Sequence, residues 1–330
     1  MKRELRKAEV LFVVACVAVV SRGGQLGVGI GSAFGTQASF ESDQVVLPFA
    51  NDPGAAAAGI DHVYDDGYNL VDSSGNFGNE TTFWGYQNEA QFDAATDTIR
   101  MSSTRTLIDT AEDSADRDCL GALELFWLQN FTSNKTFNCG FRLAARWQRV
   151  RVAGAAWSGT TAETYTDAYA LNGISAPSAP FDGSYGGGIG NPVLGDGPTR
   201  SISTAAGSAV MISRTLDGHL LGFDFGPTLS WDLGERMALV ASAGGTAMHI
   251  HSTFSYDSGG LVAGETTDQE WLFGAYAGAD LQCRIGEGWG LFGGVAYTYL
   301  EDFNQQADGQ RAELVFADSC VLRFGIYTEL

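Results

Sequence analysis

Through much of this chain apolar side chains fall on every second residue, and the residues between them are glycines and charges. In Leu220 to Trp231 the odd positions are Leu221, Phe223, Phe225, Pro227, Leu229 and Trp231, alternating with Gly222, Asp224, Gly226, Thr228 and Ser230. Glu270 to Arg284 sets Trp271, Phe273, Ala275, Ala277, Ala279, Leu281 and Cys283 against Gly274, Tyr276, Gly278, Asp280 and Arg284. Phe137 to Gln148 repeats the pattern, with Phe141, Leu143, Ala145 and Trp147 opposite Gly140, Arg142 and Arg146. A period of two marks extended strands with distinct faces. The outer face of a soluble sandwich is rich in Lys, Thr and Glu. Here the second face is glycine-rich, with scattered arginine and acid, which suits the cramped inside of a barrel whose apolar face meets lipid.

Composition narrows the function classes. Glycine accounts for 43 of 330 residues, well above the usual ~7%. With 19 Lys plus Arg against 39 Asp plus Glu, the formal charge is −20, so the chain repels phosphate backbones and no nucleic-acid partner is expected. The 45% apolar content is enough to build a core. No stretch after the amino terminus holds the ~18 consecutive apolar residues of a membrane-crossing helix. Basic residues from Met1 followed by the apolar run Val10 to Val20 read as an export signal, residues 1–23, cleaved near Ser21 to Gly24. The remaining cysteines, Cys119, Cys139, Cys283 and Cys320, form no CxxC pair, which argues against zinc and thioredoxin-type chemistry.

Counting back from the end, strands are expected near 312–330, 288–301, 267–284, 235–257, 204–231, 138–171, 117–129, 98–110, 81–92 and 24–34. The expected fold is all-β, a closed antiparallel up-and-down transmembrane β-barrel of about ten strands, within a range of about 8–12. Residues 24–330 form it. Tight turns at Leu233 to Glu235 and Ile285 to Gly288 alternate with longer polar loops at 257–267 and 302–311, as short periplasmic turns alternate with outer loops. Residues 52–80 show no period and read as a long loop or partial plug. Residues 173–200 contain four of the seven prolines and eight glycines and read as a long surface loop.

The last strand alternates Leu322, Phe324, Ile326 and Leu330 with Arg323, Gly325, Tyr327 and Glu329. It resembles the carboxyl-terminal assembly signal of bacterial outer-membrane barrels, with Leu330 where an aromatic residue is usual. Leu120 to Leu330, about two thirds of the chain, looks like the small OmpA-like outer-membrane barrels. The segments His62-Val-Tyr-Asp-Asp-Gly-Tyr68 and Phe83-Trp-Gly-Tyr-Gln-Asn88 resemble an uncharacterised group of Gram-negative outer-membrane proteins that brings no known activity. The resemblance implies residence in the cell outer membrane, with membrane lipid and the barrel-assembly machinery as partners.

Alternation points Glu124, Arg142, Arg146, Asp224, Asp280 and Arg323 inward, with Glu270 and Arg284 nearer the ends. Unpaired charge shielded from water costs several kcal/mol, so these groups are expected to form a lumen network of ion pairs. Trp147, Phe223, Phe225, Trp231, Trp271, Phe273, Trp289 and Phe324 fall on the lipid-facing side or its aromatic girdles. His249 and His251 share one face, read as the inner one, and have no third ligand for a metal. His219 near Ser213 imitates a hydrolase pair. Gly27 to Gly31 lacks the last glycine of a dinucleotide loop. The acidic turns at Asp65 and Asp72 lack calcium-loop spacing. No cofactor, metal or catalytic residue is assigned. The expected role is a non-enzymatic outer-membrane protein, structural or surface-interacting, with a narrow pore as the alternative and a lipid hydrolase as a minor one.

Overall fold

The computed structural model describes residues 24–71, 78–117, 120–131, 137–183, 192–316 and 319–330, so the expected export signal lies outside the described residues. The chain divides into two compact units. One contains the segments ending at Ser42, Glu112–Ala156 and Ile212–Leu330; the other is Asp43–Ala111 with Trp157–Met211.

The first unit is a ring of eight antiparallel strands: β1 (Gly24–Phe34), β2 (Leu120–Asn130), β3 (Phe137–Ser158), β4 (Val210–Asp232), β5 (Met237–Ser258), β6 (Ala263–Gly286), β7 (Trp289–Leu300) and β8 (Ser319–Glu329). Each strand neighbours the next in the chain, and β8 returns to pair with β1. The join is continuous from Gln25 opposite Glu329 to Phe34 opposite Cys320. It leaves no free edge at that level.

The ring has eight members because two of the ten expected strands lie outside it; three further stretches read as single strands each divide and give the ring one strand apiece. The run 138–171 breaks at Gly159 into β3 and Thr160–Ala170. The run 204–231 contains the end of Thr199–Ala206 and then β4. The run 312–330 divides into Gln310–Val315 and β8. Two other expected ring strands belong to the second unit. Thr98–Ile108 pairs with Thr160–Ala170, and its alternate residues Arg100, Ser102, Thr104 and Thr106 are polar. Residues 81–92 contribute the short strand Trp84–Tyr86 to another sheet of that unit.

Strands β3 to β6 run for 22, 23, 22 and 24 residues, about twice what a tilted strand needs to cross a bilayer. Along their far halves, Thr36–Ser42, Ala111–Arg117, Phe303–Ala307 and Gln310–Val315 form a four-stranded sheet. That end of the unit encloses an apolar core including Phe40, Leu216, Leu220, Ile250, Phe254, Leu272, Phe303 and Leu314. A smaller cluster of Phe126, Leu128, Ala144, Val240, Phe292 and Tyr327 fills the end near the tight turns.

The second unit holds the sheet Thr199–Ala206, Thr160–Ala170, Thr98–Ile108 and Val45–Val46, and another of Phe181–Asp182, Trp84–Tyr86, Gly67–Asn69 and His62–Val63. Residues 52–80 are therefore partly strand, and 173–200 contributes Phe181–Asp182, Leu194–Gly195 and the start of Thr199–Ala206. Neither is the structureless loop that missing periodicity suggests, because strands of two or three residues are too short to show a period. Cys139, Cys283 and Cys320 are free thiols; Cys119 lies outside the described residues.

Candidate functional site

Polarity in the ring is inverted relative to a soluble protein. On the inner side Glu124, Arg142, Arg146, Asp224, Asp280 and Arg323 are all 6% exposed or less. Outside, Ile30 is 59%, Phe273 57% and Phe324 56% exposed. Phe225, Trp147, Trp271 and Trp289 are also exposed on the outer side, while Phe223 and Trp231 are half-buried there.

The six charges balance, three against three, and lie on five strands. Arg323 grips Asp280 with two parallel hydrogen bonds of 2.8 Å, from Nε and Nη2, and reaches Glu124 through Nη1 at 3.2 Å. Arg142 closes on the other oxygen of Glu124 at 2.5 Å and stacks over the Phe126 ring, 4.9 Å from its centroid. Arg146 stands 3.6 Å from Asp224, which accepts a 2.6 Å bond from the Thr246 hydroxyl. Charge-assisted and bidentate contacts of this kind offset the cost of burial.

Glycine makes the room. Gly294 lies directly opposite both Asp280 and Arg323 in the ladders. A Cβ there would approach the Asp280 carboxylate closer than 3.0 Å, and one at Gly278 would stand 2.9 Å from Arg323 Nη2. The glycine-rich inner face and the buried charges are thus one packing solution. Because water barely reaches these groups, the ring is filled at their level. Of the flanking charges, Arg284 is exposed and pairs with Glu329 at 2.7 Å, and Glu270 is exposed.

His249 and His251 do share a face, but it is the outer one, since Met248, Ile250 and Ser252 take the buried positions. The inward reading fails because nothing in a two-residue spacing fixes which face is inner. His219 stacks on Trp147 with centroids 5.6 Å apart. Ser213 stands six residues away on the same strand, ~20 Å at strand spacing, so these two cannot act as a pair. Among the described residues no group of three or more His, Cys, Asp or Glu is placed to hold a metal.

The second unit contains a buried polar cluster that sequence reasoning missed. In Thr160–Ala170 the residues Tyr165, Asp167 and Tyr169 share one face. Asp167 is fully buried; it accepts two bonds from Arg200, at 2.8 and 2.7 Å, and one from the Tyr64 hydroxyl at 2.6 Å. With its single proton given to Asp167, Tyr64 must accept from the Tyr169 hydroxyl 2.7 Å away. Burial first, then these neighbours, pushes the Tyr64 phenol well above its ordinary range, and burial raises Tyr169 as well. The hydrogen bond to Asp167 holds Arg200 above its usual value. Arg200 also donates to Gly54 O at 2.6 Å. His62, fully buried, lies 2.7 Å from Pro53 O and 2.9 Å from Ala57 O. Carbonyls only accept, so each proton the ring carries goes to one of them. The cluster therefore ties the 53–57 turn to the sheet.

The aromatic motif pins the proline-rich segment. Trp84 Nε1 donates to Pro192 O at 3.0 Å, Tyr86 donates to Pro177 O, and Tyr68 donates to Asp182 and to Gly183 O. The conspicuous residues of 62–68 and 83–88 thus build the unit rather than present a reactive group.

No protein-family model matches the chain, and no curated protein matches it in sequence. Solved structures similar to it include Ail, the attachment invasion locus protein of Yersinia pestis, at 8% identity and TM-score 0.25, covering 93% of this chain and 99% of that one. The outer membrane protease OmpT of Escherichia coli is similar at 8% identity and TM-score 0.34, covering 95% and 99%. The translocator domain of the autotransporter NalP from Neisseria meningitidis gives 8% and 0.23, covering 100% and 97%. Likeness of this extent assigns no activity, and the chain's own chemistry has to carry any functional reading.

Proposed function

We propose that this chain is a non-enzymatic β-barrel of the bacterial outer membrane whose role is structural or surface-interacting. The observation that carries the reading is the inverted polarity of the ring: lipid accounts for an outer face of large exposed apolar residues around an inner face of buried, paired charge. The dimensions agree. On β5, Leu239 lies opposite Trp231 and His249 opposite Trp271. The ten steps from Leu239 to His249 span ~33 Å along the strand, or ~25 Å at a tilt of ~40°, the height of the apolar band on outer-membrane barrels. Between these limits the outward series Leu221 to Trp231, Leu239 to Ala247 and Trp271 to Leu281 contain no charged residue.

The tight turns 233–236 and 287–288 mark the periplasmic end. The long connections β1–β2, β3–β4 and β7–β8 leave from the opposite end of the ring, so surface contact falls to them. A lumen filled at the level of the charge network favours this reading over a pore. Strand β8, which completes the ring against β1, serves as the assembly signal. Membrane fractionation with heat-modifiable gel mobility tests the proposal. The expected result is a band in the outer-membrane pellet that migrates anomalously until boiled; a soluble protein with no heat shift would overturn it.

A further inference from the structure

In the second unit, the sheet made of Thr199–Ala206, Thr160–Ala170, Thr98–Ile108 and Val45–Val46 ends differently on its two sides. Val45–Val46 is two residues long, as are Phe181–Asp182 and His62–Val63 at the edges of another sheet of the unit. Shortness of that kind protects an edge from stray pairing. Thr199–Ala206 has no such protection. It is eight residues long, contains no proline or lysine, and every residue except Arg200 is exposed. Its one charge is held back over the sheet, because the Arg200 guanidinium is bonded to Asp167 and to Gly54 O.

The ladder fixes which backbone groups are open. Gly207 N donates to Thr160 O at 2.7 Å. Hydrogen-bonded pairs therefore recur at every second residue, Ala205 with Ala162, Ser203 with Thr164 and Ser201 with Thr166. The N–H and C=O groups of Arg200, Ile202, Thr204 and Ala206 point the other way. Among the described residues none of these backbone groups has a hydrogen-bond partner, and the Ile202 side chain beside them is 56% exposed.

A row of four donors and four acceptors, about 20 Å long, is a template for one more strand. A second copy of the row completes it. Laid antiparallel about a two-fold axis at Ser203, Arg200 meets the partner's Ala206 and Ile202 meets the partner's Thr204. Each of these pairs brings open groups face to face, and no charge lies opposite a like charge. The charges nearest the edge cancel in pairs, Arg200 with Asp167 and Arg105 with Glu163. We propose that Thr199–Ala206 is a homodimer interface, pairing with the same strand of a second copy into one continuous sheet. So short a contact makes the dimer weak and reversible. The proposal stands apart from the outer-membrane reading, since it uses only the ladder and charges of the second unit. That unit holds fifteen Asp and Glu against three Arg, 3 − 15 = −12. Salt should therefore tighten self-pairing by screening, whereas it would loosen a basic foreign strand.

The test uses the full chain in detergent micelles. Sedimentation equilibrium reads the mass, and far-UV circular dichroism reads the fold. Wild type should dimerise reversibly, and more tightly as salt is raised. Thr204→Pro removes an N–H that points outward and no bond within the sheet. It should weaken the dimer at least about tenfold with the fold unchanged. If that variant does not fold, Ser203→Lys supplies the same comparison by setting two ammonium groups opposite each other across the axis. Oxidation adds a geometric readout. In Ser203→Cys the thiol faces its own copy in a non-hydrogen-bonded pair, ~4.5 Å between Cα atoms, within disulfide reach. In Ser201→Cys the two copies stand ~13 Å apart and should not link beyond the wild-type background. A monomeric wild type overturns the proposal and leaves the edge to a foreign strand. A dimer indifferent to both Thr204→Pro and Ser203→Lys, a dimer that salt loosens, or equal linking of the two cysteine variants places the contact elsewhere and overturns it as well.

Discussion

Arg323 on β8 and Asp280 on β6 meet across the inside of the ring through two parallel 2.8 Å hydrogen bonds, with the intervening strand β7 contributing only Gly294 between them. Replacing Arg323 by Met removes the partner of Asp280 and one of the two partners of Glu124. A buried pair broken from one side costs about 3–5 kcal/mol. Chemical unfolding of the detergent-folded protein should show a loss of that size, and R323K should recover part of it by restoring charge without the fork geometry. An R323M protein as stable as wild type would mean that the network contributes nothing net.

Adjacent glycines on β7 provide an internal comparison. A Cβ at Gly294 would intrude on Asp280, whereas one at Gly293 has as its nearest neighbour Arg323 O at 3.9 Å. Gly294→Ala is therefore expected to destabilise by about 1–3 kcal/mol through overpacking. Gly293→Ala should be close to neutral. Equal unfolding midpoints for the two variants would contradict the idea that glycine on the inner face exists to admit the charges.

The ring was legible to the extent that side chains repeat along long strands. Phe225, Phe273 and Phe324 announce an apolar face, and Asp224, Asp280 and Arg323 fall opposite them by counting alone. What counting cannot supply is partnership: nothing in the sequence says that Arg323 meets Asp280, 43 residues away, and Glu124, 199 residues away. Strand breaks at single residues such as Gly159 were equally hidden, because alternation continues across them. The second unit was scarcely readable, since its strands at 62–63, 67–69 and 84–86 are shorter than one period-two pattern. One signal was available there: Asp167 sits between Tyr165 and Tyr169 on the face that alternation makes the buried one, and a carboxylate in that position demands partners.

In the second unit, Tyr64→Phe removes the hydroxyl that joins Asp167 to Tyr169. Arg200 remains on the carboxylate, so the expected cost is about 1–3 kcal/mol rather than loss of folding. Asp167→Asn should cost more, because it takes the charge from under Arg200 as well. Thermal unfolding of both variants checks the order, and the reverse order would place the weight of the cluster on the tyrosines.

The phenols of the second unit predict a pH response. The phenols of Tyr64, Tyr68 and Tyr169 are all raised above their ordinary value, burial being the largest cause at each. A raised phenol favours the neutral, folded form. Its stabilisation is complete below the unfolded value of ~10 and is lost as pH climbs from there toward the folded value. Tyrosinate absorbance should therefore appear in two phases, exposed tyrosines first and a late group that includes these three, together with local unfolding. Tyr64→Phe should shrink the late phase; a single phase centred near the free-tyrosine value would refute the burial of all three.

Depth in the lipid separates two outward positions on neighbouring strands. Phe225 is half exposed in the middle of the belt, between Leu221 and Trp231 on β4. Thr253 lies opposite Asp217 on β5, one step above His251. An arginine at bilayer mid-depth costs about 2–4 kcal/mol, falling to about 0–1 near the interface. Phe225→Arg should therefore lower folding stability in lipid vesicles far more than Thr253→Arg, although both side chains point outward and neither touches the lumen. In a soluble protein two such exposed substitutions would be nearly equivalent, since each guanidinium would point into water. Equal, small effects at both sites would remove hydrocarbon from the outer face and with it the membrane placement of the ring.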